Sequence, residues 1–497
     1  MVDDISDLHK PSVPAHDLRV AAAQHMSEEE FLLIEKKLKR KLDLRCTAML
    51  TFIYVLNYLD RNNIAAAKVA GLEADLHLTS TQYSLALSIL FVGYVLMQVP
   101  SNIFLTKLRP SLYLPACMAA WGTLSACTGA VQSAGGLTAV RFLLGLVEAA
   151  YYPGSLFLLG SWYKRSELGV RCAILYGGLQ VGGAISGLIS AGIESGLNGA
   201  LGIPAWRWIF IIEGSITVFI ALLAIFTIPD FPSNTRWLTP SERAVAEWRL
   251  IRDAGQVDEV SESWSDGFKL AFTDWRTYAF CAINQCVFVS TSTQNFLPSI
   301  VATLGFGKID TLLLTVPPYV VCLITSVVNN WSADRMRNSS FHSMWPLVVS
   351  IVAGIISAST LDKGARYFAM ILLMVGGHSA NTVVAAWAQK TLLRPRIKRA
   401  AAIAFINACG NIAQIWTPYI YPDSAAPRYV MAMSINAGFA LAGIIMMYGM
   451  RIALHRANRK LDERAARGSD VGENGLRDVV GLGGANAVSP GDFRYTT

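Results

Sequence analysis

Apolar runs of about 20 residues recur along the whole chain, and this feature limits its possible folds more than any other. A helix of that length crosses the roughly 30 Å hydrocarbon core of a bilayer. Hydrophobic residues make up 53% of the 497 residues and charged residues only 15%, so a soluble fold could not bury so much apolar surface. We therefore predict an all-α protein embedded in the lipid bilayer, with twelve transmembrane helices. The predicted spans lie near residues 46–66, 83–105, 111–131, 138–160, 172–193, 207–228, 278–300, 310–331, 343–361, 366–386, 400–420 and 430–452.

The twelve spans fall into two groups of six, separated by a polar interval with several prolines and mixed charges. The interval contains a helix start at Thr239-Pro-Ser-Glu. Beyond residue 452 the chain is charged and then rich in Gly, Asn and Ser, a composition typical of a disordered tail. We predict a cytoplasmic N-terminal tail, a six-helix bundle, a cytoplasmic linker, a second six-helix bundle and a disordered cytoplasmic tail, at residues 1–44, 45–229, 230–275, 276–452 and 453–497.

Basic residues in the short connections predict the orientation, because positively charged segments stay on the cytoplasmic side during membrane insertion. Five Lys and Arg residues between positions 36 and 41 precede the first span, while the loops on the opposite side carry few basic residues. Both termini are therefore predicted to be cytoplasmic. The other basic residues on the first side are Lys107, Arg109, Lys164, Arg165, Arg171, Arg335, Arg337, Lys390, Arg394, Arg396, Lys398 and Arg399.

The composition disfavours several classes of function. The net charge of +7 comes from basic residues at span ends, where the insertion rule explains them, so no nucleic-acid partner is expected. The eight cysteines lie in or beside apolar spans without CxxC or Cys/His spacing, so we expect no metal and no cofactor. No nucleophile with a neighbouring base is evident in the spans, so the chain is predicted not to be an enzyme.

Four charged residues inside the predicted spans are the best indication of function, because each costs about 2.5 to 3.5 kcal/mol at a helix centre. Asp60 and Arg61 lie in the first span, and Arg141 and Glu148 lie in the fourth at a similar depth. Arg141 and Glu148 are seven residues apart and so project from one helix face. Arginine suits a carboxylate ligand, and a buried carboxylate can carry a proton. The alternative is that these charges form structural ion pairs between helices.

Other polar residues in the spans have weaker signals. Glu213 lies at a similar depth in the sixth span and is interpreted as a structural partner, while His378 without an acidic neighbour is interpreted as a packed polar residue. The amide side chains could contact a ligand, but bonding between helices is favoured for each one taken alone. They are Gln285, Gln294, Asn295, Asn381, Asn407, Asn411 and Gln414.

Sequence strings along residues 45–452 resemble the major facilitator superfamily. Its loop motif after the second span is degenerate here, with Thr106 at the usual acidic position, whereas the turn after the eighth span retains Asp334 and Arg335. More specific strings resemble the anion:cation symporter family, especially the fungal allantoate permease-like group of nicotinate, pantothenate and vitamin carriers. They are Asn57-Tyr-Leu-Asp-Arg-Asn-Asn63, Gly93-Tyr-Val-Leu-Met-Gln-Val-Pro-Ser-Asn102, Arg141-Phe-Leu-Leu-Gly-Leu-Val-Glu148 with Pro153-Gly154, Trp206-Arg-Trp-Ile-Phe-Ile-Ile-Glu-Gly214 and Pro317-Pro-Tyr319.

This resemblance implies a major facilitator fold of two pseudo-symmetric six-helix bundles, working as a monomer in the plasma membrane. It also implies proton-coupled uptake of a small organic anion, such as a carboxylate or a vitamin, by alternating access. Asp60 and Glu148 would carry protons, and the implied substrate contacts are Tyr58, Arg61, Arg141, Gln285, Trp387 and Asn411.

Two other functions stay open at this stage. The first is export of a metabolite on the same scaffold, which the direction of accumulation would distinguish from uptake. The second is a nutrient sensor that binds without transporting, although the 45-residue C-terminal tail is short and featureless for that role.

Overall fold

A computed structural model describes residues 25–254, 264–392 and 396–466, and every regular element in these ranges is helical. The first half contains α1 (Glu28–Leu42), α2 (Ala48–Ala70), α3 (Leu72–Asp75), α4 (Ser80–Lys107), α5 (Pro110–Thr128), α6 (Ala134–Glu148), α7 (Tyr151–Gly160), α8 (Arg165–Gly196) and α9 (Ala205–Thr227). Two helices follow in the linker, α10 (Pro240–Ala254) and α11 (Trp264–Thr273). The second half contains α12 (Trp275–Thr291), α13 (Leu297–Ala302), α14 (Lys308–Leu313), α15 (Val316–Met336), α16 (Ser339–Ser359), α17 (Lys363–Thr391), α18 (Arg396–Trp416) and α19 (Val430–Ala466).

The helices reproduce the twelve predicted spans. Within the described residues, eight segments are long and apolar enough by composition alone to cross a membrane. The other four predicted spans are α2, α5, α12 with α13, and α18, which pack among these eight. The first of them, α2, carries both Asp60 and Arg61, so the polar content that lowers its hydropathy is also the feature that suggested a functional site.

The two halves repeat the same packing pattern, which confirms the predicted fold. In the first half α5 packs against α9, α4 against α6, and α2 against both α8 and α9. In the second half α16 packs against α19, α15 against α17, and α12 against both α18 and α19, which are the equivalent pairs in chain order. The halves meet where α8 packs against α14 and α15, α4 against α18, and α2 against α13. The chain is thus built from two related helix bundles.

Three predicted spans are broken where the sequence analysis expected continuous helices. The fourth span divides into α6 and α7 at Glu148, because Pro153 has no N–H to donate to the carbonyl of Ala149. The seventh contains a 3-10 turn over Ser292–Phe296 before Pro298, and the eighth divides ahead of consecutive prolines at the start of α15. Glu148 is therefore the last residue of a helix, and its side chain projects at a break in the fourth span.

The cytoplasmic regions of the prediction contain more helix than the composition suggested. Helix α1 begins after Ser27, whose side chain accepts the Glu30 backbone N–H, and lies inside the predicted N-terminal tail. Helix α19 continues 14 residues past position 452, because its last turns consist mainly of Ala, Arg, Leu and Lys and include an Arg459–Glu463 ion pair at 3.1 Å. The rest of the predicted disordered tail, residues 467–497, lies outside the described residues, as do residues 1–24.

The linker helix α10 is anchored on the first half. Thr239 and Glu242 cap each other at its start, as the sequence predicted. Arg249 is fully buried and donates to the carbonyl of Trp162 and, at 3.2 Å, to Glu167. Burial alone would raise the pKa of Glu242, but hydrogen bonds from the Lys41 ammonium and from Thr239 outweigh it and hold the pKa below its ordinary value.

Replacing Gly145 with alanine is expected to destabilise the first half, because an added Cβ would lie 2.0 Å from the Leu90 carbonyl oxygen where α4 and α6 touch. Overpacking of this kind costs about 1–3 kcal/mol. Gly135 on the same helix has no atom within 4 Å of the corresponding position, so Gly135→Ala is the matched control and should be neutral or slightly stabilising. Thermal denaturation of the two purified variants checks this, and equal melting temperatures would contradict the packing described.

Candidate functional site

Arg61 and Glu148 form an ion pair between α2 and α6. The Arg61 Nε donates to Glu148 Oε1 at 2.8 Å, and its Nη2 makes a second contact with the same oxygen. The guanidinium lies over the rings of Phe91 and Tyr94, at 5.6 and 5.2 Å from their centroids. The Arg61 side chain is 18% exposed, whereas that of Glu148 is only 3% exposed. Arg61 is thus the more accessible residue of the ion pair, and its guanidinium packs on the rings of Phe91 and Tyr94.

Arg141 lies beside this pair and has spare hydrogen-bonding capacity. Its Nη2 donates to the backbone carbonyl of Arg61 and its Nε to the carbonyl of Ala86, both at 3.4 Å. Its Nη1 is buried and has no hydrogen-bond partner among the described residues. Two guanidinium groups therefore lie near one carboxylate, which leaves this cluster with one positive charge in excess.

The side chain of Asp60 points in a different direction from that of Arg61, although the two residues are adjacent in sequence. Successive residues on a helix point about 100° apart, and Asp60 faces α5 and α9, away from the ion pair. It accepts a hydrogen bond at 2.7 Å from Ser125 and another at 2.7 Å from Thr217. The shared depth inferred from the sequence therefore corresponds to two neighbouring clusters, one around Arg61 and one around Asp60.

The structure does not bring the remaining predicted contacts into the Arg61 cluster. Tyr58 is buried against Gly182 of α8, and its hydroxyl has no partner in the described part of the chain. Trp387 is fully buried where α17 meets α12, edge-on to Phe280 with ring centroids 5.4 Å apart. Asn411 donates to the carbonyl of Asn407 on its own helix at 3.0 Å. Gln285 is half-buried on α12.

Polar contacts between the halves were not recognised from the sequence as pairs. Asn62 donates to the Tyr319 hydroxyl at 3.4 Å, and Asn381 donates to the Tyr176 hydroxyl at 2.5 Å. A small cleft lies between the halves, lined by Asn62, Tyr319 and Gln294 among others. Tyrosine and asparagine in apolar spans were the available signal, but the sequence does not show which spans face each other.

The halves are joined at the membrane face where residue 70 lies, called the far face here. Two ion pairs cross between them, Lys68 with Asp423 at 2.9 Å and Lys308 with Glu194 at 3.5 Å. The backbone N–H of Asp423 also donates to the Ser80 hydroxyl at 3.2 Å. These contacts join the two halves on that side.

A family model described as the Major Facilitator Superfamily matches residues 50–418, which is most of the chain. The chain belongs to the major facilitator superfamily. It is 34% identical over 437 residues to the MFS-type transporter efuF of Hormonema carpetanum, covering 86% of this chain and 87% of that protein. It is 32% identical over 446 residues to the major facilitator-type transporter hxnP of Emericella nidulans, covering 87% and 89%.

Solved structures show the same fold for this superfamily member. A bacterial homolog of the human lysosomal transporter Spinster, in an inward-facing and occupied conformation, superposes with a TM-score of 0.63 at 14% identity, covering 81% of this chain and 95% of that one. A D-xylose-proton symporter superposes with a TM-score of 0.62 at 15% identity, covering 82% and 97%. The protein is therefore a multi-pass membrane transporter of the major facilitator fold, a superfamily of carriers and not of enzymes.

Proposed function

We propose that this protein is a secondary transporter that takes up a small organic anion together with protons. The observation that carries the proposal is the Arg61–Glu148–Arg141 cluster, in which two arginines lie near one carboxylate and Arg141 Nη1 has no hydrogen-bond partner among the described residues. An unpaired cation buried in a membrane protein is costly, and a carboxylate substrate would supply its missing partner. The planar guanidinium fork also favours a carboxylate over a neutral ligand.

Anion binding is coupled to proton binding because Glu148 and the substrate carboxylate compete for Arg61. Glu148 is paired with the guanidinium in this structure, so an entering carboxylate must displace it. A proton on Glu148 removes its negative charge and weakens the ion pair, which leaves the fork of Arg61 available for the substrate. Release of the proton inside the cell restores the ion pair and expels the anion. Proton and anion are thus bound and released together because both act on one arginine.

The other predicted residues complete the proposal. Asp60 is the second proton carrier, and Tyr58 contributes a hydroxyl that has no hydrogen-bond partner among the residues that the structure describes. Gln285, Trp387 and Asn411 are proposed to contact the substrate when the second half changes position. The fungal allantoate permease-like group of the anion:cation symporters is the proposed subfamily. The protein is proposed to act as a monomer in the plasma membrane with both termini cytoplasmic.

Alternating access requires that the two halves separate at one face while they close at the other. In this structure the two halves are joined at the far face, which is the outer face in the proposed orientation. In the proposed cycle, a state closed at this face is the one from which a bound anion leaves toward the cytoplasm.

Uptake screening tests the proposed function. Cells that produce the protein are offered labelled nicotinate, pantothenate, allantoate, ureido acids and sugar acids at several external pH values, with Arg141→Ala as the loss-of-site control. We expect accumulation of at least one anion, greater at acidic than at alkaline external pH. Accumulation that is insensitive to pH would remove the proton from the mechanism. Net loss of preloaded anion would support export, and binding without counterflow would support a sensor.

Locking the far face is expected to stop transport. The test is a variant with Ser80→Cys and Asp423→Cys, chosen because the two residues are in direct contact, with the Asp423 N and the Ser80 Oγ 3.2 Å apart. Oxidation should abolish uptake and a reductant should restore it, since the halves cannot then separate outward. Each single variant is the control. Full uptake by the oxidised, cross-linked protein would show that this face does not open during transport.

A further inference from the structure

The carboxyl group of Glu213 is buried in the first half, and the described part of the chain supplies no hydrogen-bond partner for it. The residue is 2% exposed on α9, and neither of its side-chain oxygens has a hydrogen-bond partner among the described residues. Its polar neighbours are Asp60 and Asn63 of α2. Helices α5 and α8 also pack against α9 but contribute no charged group to its surroundings within the described ranges. An ionised carboxylate in such a place is strongly disfavoured, because no cation among the described residues compensates its desolvation.

The hydrogen bonds around Asp60 fix the orientation of Asn63. Ser125 donates its single O–H to Asp60 Oδ1 at 2.7 Å, so its oxygen can only accept from Asn63 Nδ2, which lies 3.3 Å away. The Asn63 amide group must therefore present its NH2 to Ser125. Its carbonyl oxygen Oδ1 then points elsewhere, and this atom is buried with no hydrogen-bond partner in the described part of the chain.

Two neighbouring acceptors, one on Glu213 and one on Asn63, thus lack a donor. Leaving a buried polar group unsatisfied costs about 1–3 kcal/mol. One proton on Glu213 would satisfy both residues if its O–H donated to Asn63 Oδ1. A chain of donors would then run from Glu213 through Asn63 and Ser125 to the carboxylate of Asp60. Thr217, one turn from Glu213 on α9, donates to the other oxygen of Asp60 at 2.7 Å.

We propose that Glu213 stays protonated inside the membrane and acts as a positioning residue that sets the proton affinity of Asp60 through Asn63 and Ser125. This inference rests on the proposed proton-coupled function and changes the role expected for Glu213, which the sequence suggested was a structural partner. Glu213 needs only to donate a hydrogen bond. Without that donor Asn63 loses its fixed orientation, Ser125 holds the Asp60 carboxylate less well, and Asp60 retains its proton to a more alkaline pH.

Infrared spectroscopy of the purified full-length protein tests the protonation of Glu213 without any substrate. At neutral pH the wild type is expected to show a carbonyl band of a protonated carboxylic acid that is absent from Glu213→Gln and retained in Glu148→Gln. Identical spectra of the wild type and Glu213→Gln would overturn the proposal. This result does not depend on transport, so it stands apart from the success or failure of the proposed function.

Uptake of an anion that the wild type accumulates tests the positioning role. Glu213→Gln still offers an N–H donor to Asn63 and is expected to keep the pH profile of the wild type. Glu213→Met has a similar length without a donor, and its profile should shift toward alkaline pH. Size-exclusion chromatography checks whether both variants are folded. If the methionine variant is not, the infrared comparison of the wild type with Glu213→Gln is the test of the proposal. Equal profiles for all three proteins, or an equal shift in both variants, would overturn the positioning role.

Discussion

Substituting Arg61 with lysine is expected to lower anion uptake by about 10- to 100-fold, because hydrogen bonds to charged groups contribute about 1.5–3 kcal/mol each. Lysine keeps the positive charge but loses the planar fork that can grip a carboxylate at two points. It also loses the flat guanidinium that lies over Phe91 and Tyr94. The measurement is the initial rate of uptake as a function of anion concentration, normalised to the amount of protein in the membrane.

Arg109→Lys is the matched control for this experiment, since Arg109 is exposed at a helix end far from the Arg61 cluster. Its uptake should equal that of the wild type. If Arg61→Lys transported as well as Arg109→Lys, positive charge alone would be sufficient and direct carboxylate recognition by the Arg61 guanidinium would be wrong.

Changing Glu148 to glutamine is expected to separate exchange from accumulation. Glutamine has nearly the same size and cannot carry a proton, so it mimics a permanently protonated Glu148. Arg61 is then free of its ionised partner, the anion can bind, and the loaded carrier can move between its two states. We expect counterflow of labelled against unlabelled anion to persist, while accumulation against a gradient is lost and the pH dependence of uptake becomes flat.

A matched control is Glu463→Gln, which removes an acid from the exposed end of α19 and should leave accumulation intact. Two results would contradict the account of Glu148. Wild-type accumulation in Glu148→Gln would show that this carboxyl is dispensable for coupling. Loss of both counterflow and accumulation in a folded variant would show that the ion pair has a structural role, which was the alternative interpretation of the sequence.

Helix positions were largely predictable because membrane thickness fixes the length of an apolar run. The breaks at Glu148 and in the seventh span were not predicted, although Pro153 and Pro298 were visible signals for them. A transmembrane span is recognised by its average hydrophobicity, and a proline removes one backbone hydrogen bond without changing that average much. Proline positions in the spans are therefore the more useful signal for where a charged side chain can leave the helix axis.

The candidate site was predictable only where a single helix determines it. Arg141 and Glu148 face the same way because seven residues make about two turns, and the structure places both beside Arg61. Partners on other helices could not be inferred, since the sequence does not show that Ser125 of α5 and Thr217 of α9 meet at Asp60. For the same reason the burial of Trp387 against Phe280 was not foreseen.

Anion and proton are proposed to act on the same arginine, and proton movement into vesicles that contain only the purified protein is the direct test of this. The vesicles enclose a pH-sensitive dye, and an accumulated anion from the uptake screen is added outside with no imposed pH gradient. We expect that the lumen acidifies as the anion enters, and that Glu148→Gln admits anion in exchange without acidification. Anion entry into wild-type vesicles at constant luminal pH would contradict it.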